Sequence, residues 1–440
     1  MRKIIKLLAI TIGFWFLGFM FLGLSSSIDQ GRLTKNLQST INTFQKEGAY
    51  PKAGVISNAT LDNFTDALMI LIATDPSPLN LDKVLLNPRD QYVEDGKVLD
   101  PHASLIKKGM KNHSDQDEFV KLQYPRYWHG YVTFLKPLLV VLDYKKIRIL
   151  ISTILGILAI TVISLLIKLN IKRYIVPFIF TLLSLSPIAV GKSMQFSSVI
   201  IIALSASIAI LYLCKINHLE KNYEYVFLIS GIFTSFFDFL TCPILSLGYP
   251  LIFFILCYKN KKVINSWIIT FKSGCCWLLG YLGMWVGKWF FASTLTEVNV
   301  YKQALGSVIY RMSSTTGSSG SHISFVDVIW DNLIIFNSIS HNLFLAGVLT
   351  FFLVFMLNFI QRDRTKDNLF GKLFIVCLMP FVWYLFVTNH SFIHSFFTNR
   401  NLSITLFVLF CVISDFVYQK LNKRYVMFIE KLKKNSCSIG

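Results

Sequence analysis

Two aspartates stand four residues apart in Leu61-Asp62-Asn63-Phe64-Thr65-Asp66. On a helix that spacing puts both carboxylates on one face. Such a pair can act as a general base, bind a divalent cation or hold the hydroxyls of a sugar. It can equally be the acidic first turn of a solvated helix, drawn to the positive helix end. Further along, Tyr124-Pro125-Arg126-Tyr127-Trp128-His129-Gly130-Tyr131 gathers one guanidinium, one imidazole and four tyrosine or tryptophan rings. Arg126 offers a planar fork that suits phosphate, and the rings of Tyr127 and Trp128 suit a sugar face. An aromatic belt at a membrane surface accounts for the tyrosines and the tryptophan better than for Arg126 and His129. A third segment, Asn389-His390-Ser391-Phe392-Ile393-His394, runs on to Arg400. His390 and His394 share a helix face, but no third ligand accompanies them. Contact with phosphate or sugar by His390, His394 and Arg400 is therefore expected ahead of metal binding.

Some polar residues stand alone in apolar surroundings. Asp238 lies in Phe236-Phe237-Asp238-Phe239, and Lys288 in Trp285-Val286-Gly287-Lys288-Trp289. A charge inside a membrane segment is costly, so its default reading is functional or paired. Lys288 and Lys192 can also snorkel to a headgroup layer. Gln195 can bond a neighbouring helix.

The elements that must position these residues follow from composition. Hydrophobic residues make up 54% of the chain and charged residues 15%, with mean hydropathy +0.55. A soluble domain carries about 25% charged residues. Apolar runs near 5–24, 147–167, 174–190, 196–214, 223–241, 243–258, 264–292, 338–360, 372–388 and 401–418 predict about ten spans. The expected fold is an all-α integral membrane bundle with a large, mainly helical extracytoplasmic first loop. Its parts are a first span at 1–24, an uncleaved anchor in this reading, a loop domain at 25–146, a bundle at 147–418 and a basic cytoplasmic tail at 419–440.

The formal charge is +19, and the basic residues cluster at 168–173, 215–221, 259–262, 362–372 and 420–434. With the N-terminus inside, alternation places every one of these clusters on the cytoplasmic side. This favours topology and anionic-lipid contact over nucleic-acid binding. The same alternation puts 25–146, 191–195, 241–243, 293–337 and 389–400 together outside. Arg400 then runs against the positive-inside bias. Within the first loop, 61–74 reads as a helix stopped at Asp75-Pro76, 78–121 as polar and turn-rich, and 131–143 as a re-entrant or interfacial helix. Four glycines in 264–292 suggest a kink, or an end lying in the interface. The first loop contains none of the eight cysteines, and no Cys/His set has metal-site spacing. Glycan-acceptor triplets at Asn58, Asn63 and Asn112 carry little weight, because Lys-, Ile-, Asn- and Phe-rich usage suggests an AT-rich bacterium.

This layout of a first span, a long outer loop with early acids, many further spans and outer cations and rings resembles the GT-C class of membrane glycosyltransferases. The segments at 61–69, 124–131 and 389–394 are similar to those of bacterial polytopic proteins linked to surface polysaccharide. The resemblance implies a polyprenyl-phosphate sugar as donor, a cell-surface glycan acceptor and a loop aspartate as base. Carried onto this chain, the base is Asp62, Asp66 or Asp29, the last because it follows the first span. The donor's phosphate would meet Arg126, His129, Lys288, His390, His394 and Arg400, with Tyr127 and Trp128 on the sugar. No cofactor is firmly implied, and a divalent cation stays open. A transporter or flippase of lipid-linked saccharides is the competing reading, although no related halves are visible. A polymerase would share much of the chemistry. The expected location is the bacterial plasma membrane, with lipids as surroundings and no nucleic-acid partner.

Overall fold

The computed structural model describes residues 2–54, 59–110, 118–258, 266–316, 320–336 and 369–437. The first apolar run forms α1 (Arg2–Ser26). The loop domain follows, with helices α2 (Thr34–Glu47), α3 (Asn63–Ala73) and α4 (Leu81–Leu86). Strands β1 (Arg89–Glu94) and β2 (Lys97–Val98), helix α5 (Pro101–Lys108), strand β3 (Phe119–Leu122) and helix α6 (Val132–Val141) complete it. The helices expected at 61–74 and 131–143 are α3 and α6. The polar stretch between them holds a small antiparallel sheet in the order β2-β1-β3, with Val93 opposite Val98 and Tyr92 opposite Phe119. Its β3 residues Phe119 and Val120 are exposed, so no buried stripe announces it.

The bundle begins with α7 (Tyr144–Lys168), α8 (Ile175–Ser184), α9 (Pro187–Lys192), α10 (Met194–Lys215) and α11 (Leu219–Phe237). It continues with α12 (Leu245–Tyr258), α13 (Ser266–Leu295), α14 (Val300–Met312) and α15 (Phe325–Ile335). The last helices are α16 (Leu369–Phe386), α17 (Thr388–Ile393), α18 (Ser395–Thr398) and α19 (Leu402–Cys437). Among the described residues, four stretches are long and apolar enough to cross a membrane: Arg2–Ser26, Tyr144–Lys168, Met194–Lys215 and Ser395–Asn422. The other expected spans among the described residues are shorter, broken or less apolar. Pro187 interrupts 174–190, and α12 has 14 residues. The run 338–360, the cluster 259–262, most of 362–372 and the triplets at Asn58 and Asn112 lie outside the described residues.

Burial separates the helices by role. α12 is buried along almost its whole length and forms the centre. α1 and α7 leave Ile5, Phe16, Phe21, Ile149, Ile157 and Ile160 exposed. Continuous apolar faces of that kind are stable against hydrocarbon and costly in water.

The glycine-rich run forms the one helix α13, and three of its four glycines, Gly280, Gly283 and Gly287, are contact points. A Cβ at Gly280 would meet Leu228 O at 2.2 Å, and one at Gly231 would meet Trp277 O at 2.1 Å. The backbones of α11 and α13 therefore touch. Gly283 and Gly287 face Thr11 and the Trp15 ring of α1, in the small-xxx-small spacing that lets helices approach. Trp15 Nε1 donates to Gly283 O at 2.9 Å.

The segments expected to share one side do meet. Asp66 bonds Gln195, Gly130 N bonds Phe236 O, His390 bonds Leu240 O, and Asn389 N bonds Ser313 O. At the opposite end, Lys3 pairs with Glu224 at 2.7 Å and Arg173 with Asp415 at 3.3 Å. Loop contacts thus gather at one end of the bundle, and the contacts beside the basic clusters gather at the other.

Candidate functional site

Helix α3 places the two expected acids. Asp62 is its N-cap, accepting from Thr65 N at 2.9 Å and Thr65 Oγ1 at 2.8 Å. Asp66 lies one turn on and accepts from Met194 N at 3.2 Å and Gln195 N at 3.1 Å. These are the first amides of α10, which have no partner within their own helix. Asp66 therefore caps a neighbouring helix. Alongside, Arg148 Nη1 pairs with Glu47 and Nη2 donates to Asn63 Oδ1, both at 2.8 Å. The acidic turn of α3 thus ties α2, α7 and α10 together. Asp66 is fully buried, and burial raises its pKa.

Asp62 is 1% exposed. Burial pushes its carboxyl up to about 7, against the bonds from Thr65. The folded state then holds a proton that the unfolded chain releases. The stability contributed by that proton is complete below about pH 4 and is lost as pH rises through about 7. The Asp62 contribution to the thermal midpoint of the purified protein should fall between about pH 5 and about pH 7.5, while His129, His390 and His394, buried as neutral rings, act in the opposite sense. The Asp62 part is therefore read as a difference: relative to the wild type, Asp62→Asn, which keeps a capping oxygen, should gain midpoint as pH rises through that window. An identical pH dependence in the variant would remove Asp62 as a contributor.

The octapeptide folds back on itself through His129, whose φ is +55°. Its Nε2 lies 2.8 Å from Tyr124 O, and its Nδ1 lies 3.0 Å from Tyr131 Oη. A carbonyl only accepts, so Nε2 carries the hydrogen and Tyr131 donates to Nδ1. Both ring nitrogens are occupied, which leaves no N–H for a phosphate. Burial drives the imidazole well below its usual range, and Lys288, Arg89 and Arg126 push the same way. Trp128 is fully buried and donates to Met284 O at 2.6 Å. It is core, with Lys288 Nζ 5.7 Å from its ring centroid. Lys288 does not snorkel: it is fully buried and donates to Leu85 O at 2.7 Å.

The third segment is a clamp. His390 Nε2 lies 2.8 Å from Leu240 O, and its ring is 4.8 Å from that of His394. Burial holds His390 well below the usual range and lowers His394 to about 4, with Arg311 adding to both. Neither histidine is a cation near neutral pH. Arg400 is fully buried, donates to Phe396 O at 3.1 Å and Leu185 O at 3.3 Å, and lies 4.1 Å from the Phe196 ring centroid. It also interacts electrostatically with Asp62. Asp238 accepts from Thr241 N at 2.9 Å, leaving Oδ1 without a hydrogen-bond partner among the described residues. Gln195 Oε1 is likewise buried without one. Asp29 is exposed just past α1, with Lys136 as an electrostatic neighbour.

Four cations surround the octapeptide. Arg89 and Arg126 lie 5.9 and 4.9 Å from the Tyr124 ring centroid. Arg311 stands 5.5 Å from that of Tyr127 and donates to its hydroxyl. Lys288 is the fourth. Among the described residues none of the four forms an ion pair with a carboxylate. Arg89 Nη1 and Arg126 Nε are buried without a hydrogen-bond partner. Sequence reading missed Arg89 and Arg311. The argument that singled out Arg400, a cation in a loop expected outside, applies equally to Arg311.

Beside these cations is a cavity of about 170 Å³ walled by Tyr127, Tyr281, Trp285, Trp289 and Trp383, with Arg126 and Arg311 in its lining. An open recess of about 520 Å³ adjoins it, lined by Arg126, Asn299, Lys302, Gln303, Ser307 and Tyr310. Arg126 and Ser307 belong to both. A separate groove of about 540 Å³ along α10 and α11 carries no charged residue and lacks the means to do chemistry. No protein-family model, curated protein or solved structure matches the chain.

Proposed function

We propose that this protein is a membrane glycosyltransferase that takes a sugar from a polyprenyl-phosphate-linked donor and passes it to a cell-envelope glycan at the loop end of the bundle. The observation that carries the reading is the cluster Arg89, Arg126, Lys288 and Arg311. These cations lack carboxylate partners among the described residues, and Arg126 and Arg311 line an aromatic cavity that shares Arg126 and Ser307 with a polar recess. Lys288 is buried and the three arginines are half-buried; cations drawn out of water without a counter-charge are costly, and a phosphate would compensate Arg126 and Arg311, the two that line the cavity. A tryptophan-lined cavity suits an isoprenoid, and a recess of amides and hydroxyls suits a sugar.

The chemistry follows from charge. The acceptor oxygen attacks the anomeric carbon, and the bond from that carbon to the phosphate oxygen breaks. The electron pair passes to the phosphate, where Arg126 and Arg311 stabilise the developing charge. A carboxylate takes the acceptor's proton. We assign that step to Asp238. It neighbours the cavity-lining Leu240 and interacts electrostatically with the cavity-lining Tyr281. Asp62 and Asp66 are engaged as helix caps.

The test is deletion of the gene, followed by compositional analysis of surface polysaccharides and lipid-linked intermediates. A missing sugar, restored by the wild type and by Asp62→Asn but not by Asp238→Asn, is the expected result. An unchanged glycan profile on deletion would overturn the proposal. Restoration by Asp238→Asn would overturn the assignment of the base alone.

A further inference from the structure

Arg311 and Arg126 line the aromatic cavity, Arg126 is shared with the recess, and the recess adds Lys302 and the amides of Asn299 and Gln303. Cations therefore occur in series along the cleft, with Arg126 common to both compartments. A single phosphodiester carries one negative charge against the three cations that line the two compartments, Arg311, Arg126 and Lys302.

Resting on the reading above, we infer that the lipid ligand of this cleft carries a diphosphate and not a monophosphate. One phosphate lies between Arg311 and Arg126, and the second, which carries the saccharide, between Arg126 and Lys302; the leaving group is then the whole diphosphate, whose charge Arg311 and Arg126 meet together. The isoprenoid lies against Trp285, Trp289 and Trp383, and the saccharide against the recess. Charge complementarity commits the cleft to this occupant. A diphosphate supplies a second anionic group for the surplus cations, and planar guanidinium forks suit its oxygens. Hydrogen bonds to a charged group contribute about 1.5–3 kcal/mol, or about ten- to a hundredfold in affinity.

The full chain, purified in detergent, tests this through tryptophan fluorescence with three probes: geranylgeranyl diphosphate, geranylgeranyl monophosphate and inorganic pyrophosphate. The diphosphate lipid should bind at least about tenfold more tightly than the monophosphate lipid. Lys302 is exposed on α14, so Lys302→Gln should fold as the wild type does. It should remove most of the diphosphate preference while leaving monophosphate affinity unchanged. Equal affinity for the two lipids, or equal weakening of both by Lys302→Gln, would overturn the diphosphate assignment and leave the glycosyltransferase reading standing. Pyrophosphate binding as tight as that of the diphosphate lipid would overturn the isoprenoid part. Failure of both lipids to bind would overturn this inference together with the reading it rests on.

Discussion

Arg126→Gln and Arg311→Gln should each lower sugar transfer by about two to three orders of magnitude, the loss typical when one donor to a developing oxyanion is removed. The measurement is the initial rate of label transfer in membranes from a deletion strain expressing each variant at matched levels. Stability should change little. Neither arginine pairs with a carboxylate among the described residues, so its removal orphans no acid. Arg148→Gln provides the contrast. It takes the buried guanidinium away from the half-buried Glu47 and from Asn63 Oδ1, and losing a charge-assisted pair together with a buried hydrogen bond is destabilising. The thermal midpoint should therefore fall in Arg148→Gln and hold in the other two. Full transfer by both cavity variants, or a midpoint loss in Arg311→Gln equal to that in Arg148→Gln, would sink the ligand-binding assignment.

Much of the local architecture was legible in the sequence. The period of Leu61, Phe64, Leu68 and Leu71 marks α3, and apolar length marks α1, α7 and α10. Counting spans and basic clusters grouped 61–66, 124–131, 191–195, 241–243 and 389–400 on one side; of these, 61–66 touches 191–195, while 124–131 and 389–400 each touch the chain just before 241–243. What sequence could not show is how tertiary packing uses a polar group. Asp66 looked like half of a catalytic pair. It caps the first amides of α10, a partner 128 residues away. Trp128 and His129 looked free to meet a ligand, and both are consumed by backbone carbonyls within the fold. Arg89 and Arg311 sit 222 positions apart in the chain, so no spacing rule links them. They belong to one cluster because Tyr124 and Tyr127 lie between them. The sheet escaped because Phe119 and Val120 point to solvent, leaving β3 without an alternating buried face.

Glycine spacing in α13 leads to the second large effect. Gly280→Ala should destabilise the protein by about 2–3 kcal/mol, at the upper end for overpacking, while Gly274→Ala on the same helix should be neutral or stabilising. The added carbon at 280 would lie 2.2 Å from Leu228 O and 2.9 Å from Ile232 N. Both are backbone atoms of α11, so no side chain can turn aside. The helices must separate, and Gly231 meeting Trp277 O at 2.1 Å shows the same contact from the other side. At Gly274 nothing lies within 4 Å of the added carbon, and alanine is the better helix former by about 1 kcal/mol. Separation would reach the site as well, because α13 carries Tyr281, Trp285 and Trp289 of the cavity wall and α11 ends at Asp238. Thermal unfolding in detergent measures the first effect, and lipid-probe affinity at a temperature where both variants are folded measures the second. If Gly280→Ala melts with Gly274→Ala, the α11–α13 contact does not set stability. If it melts low but binds the probe like the wild type, the helix pair supports the fold without shaping the cavity.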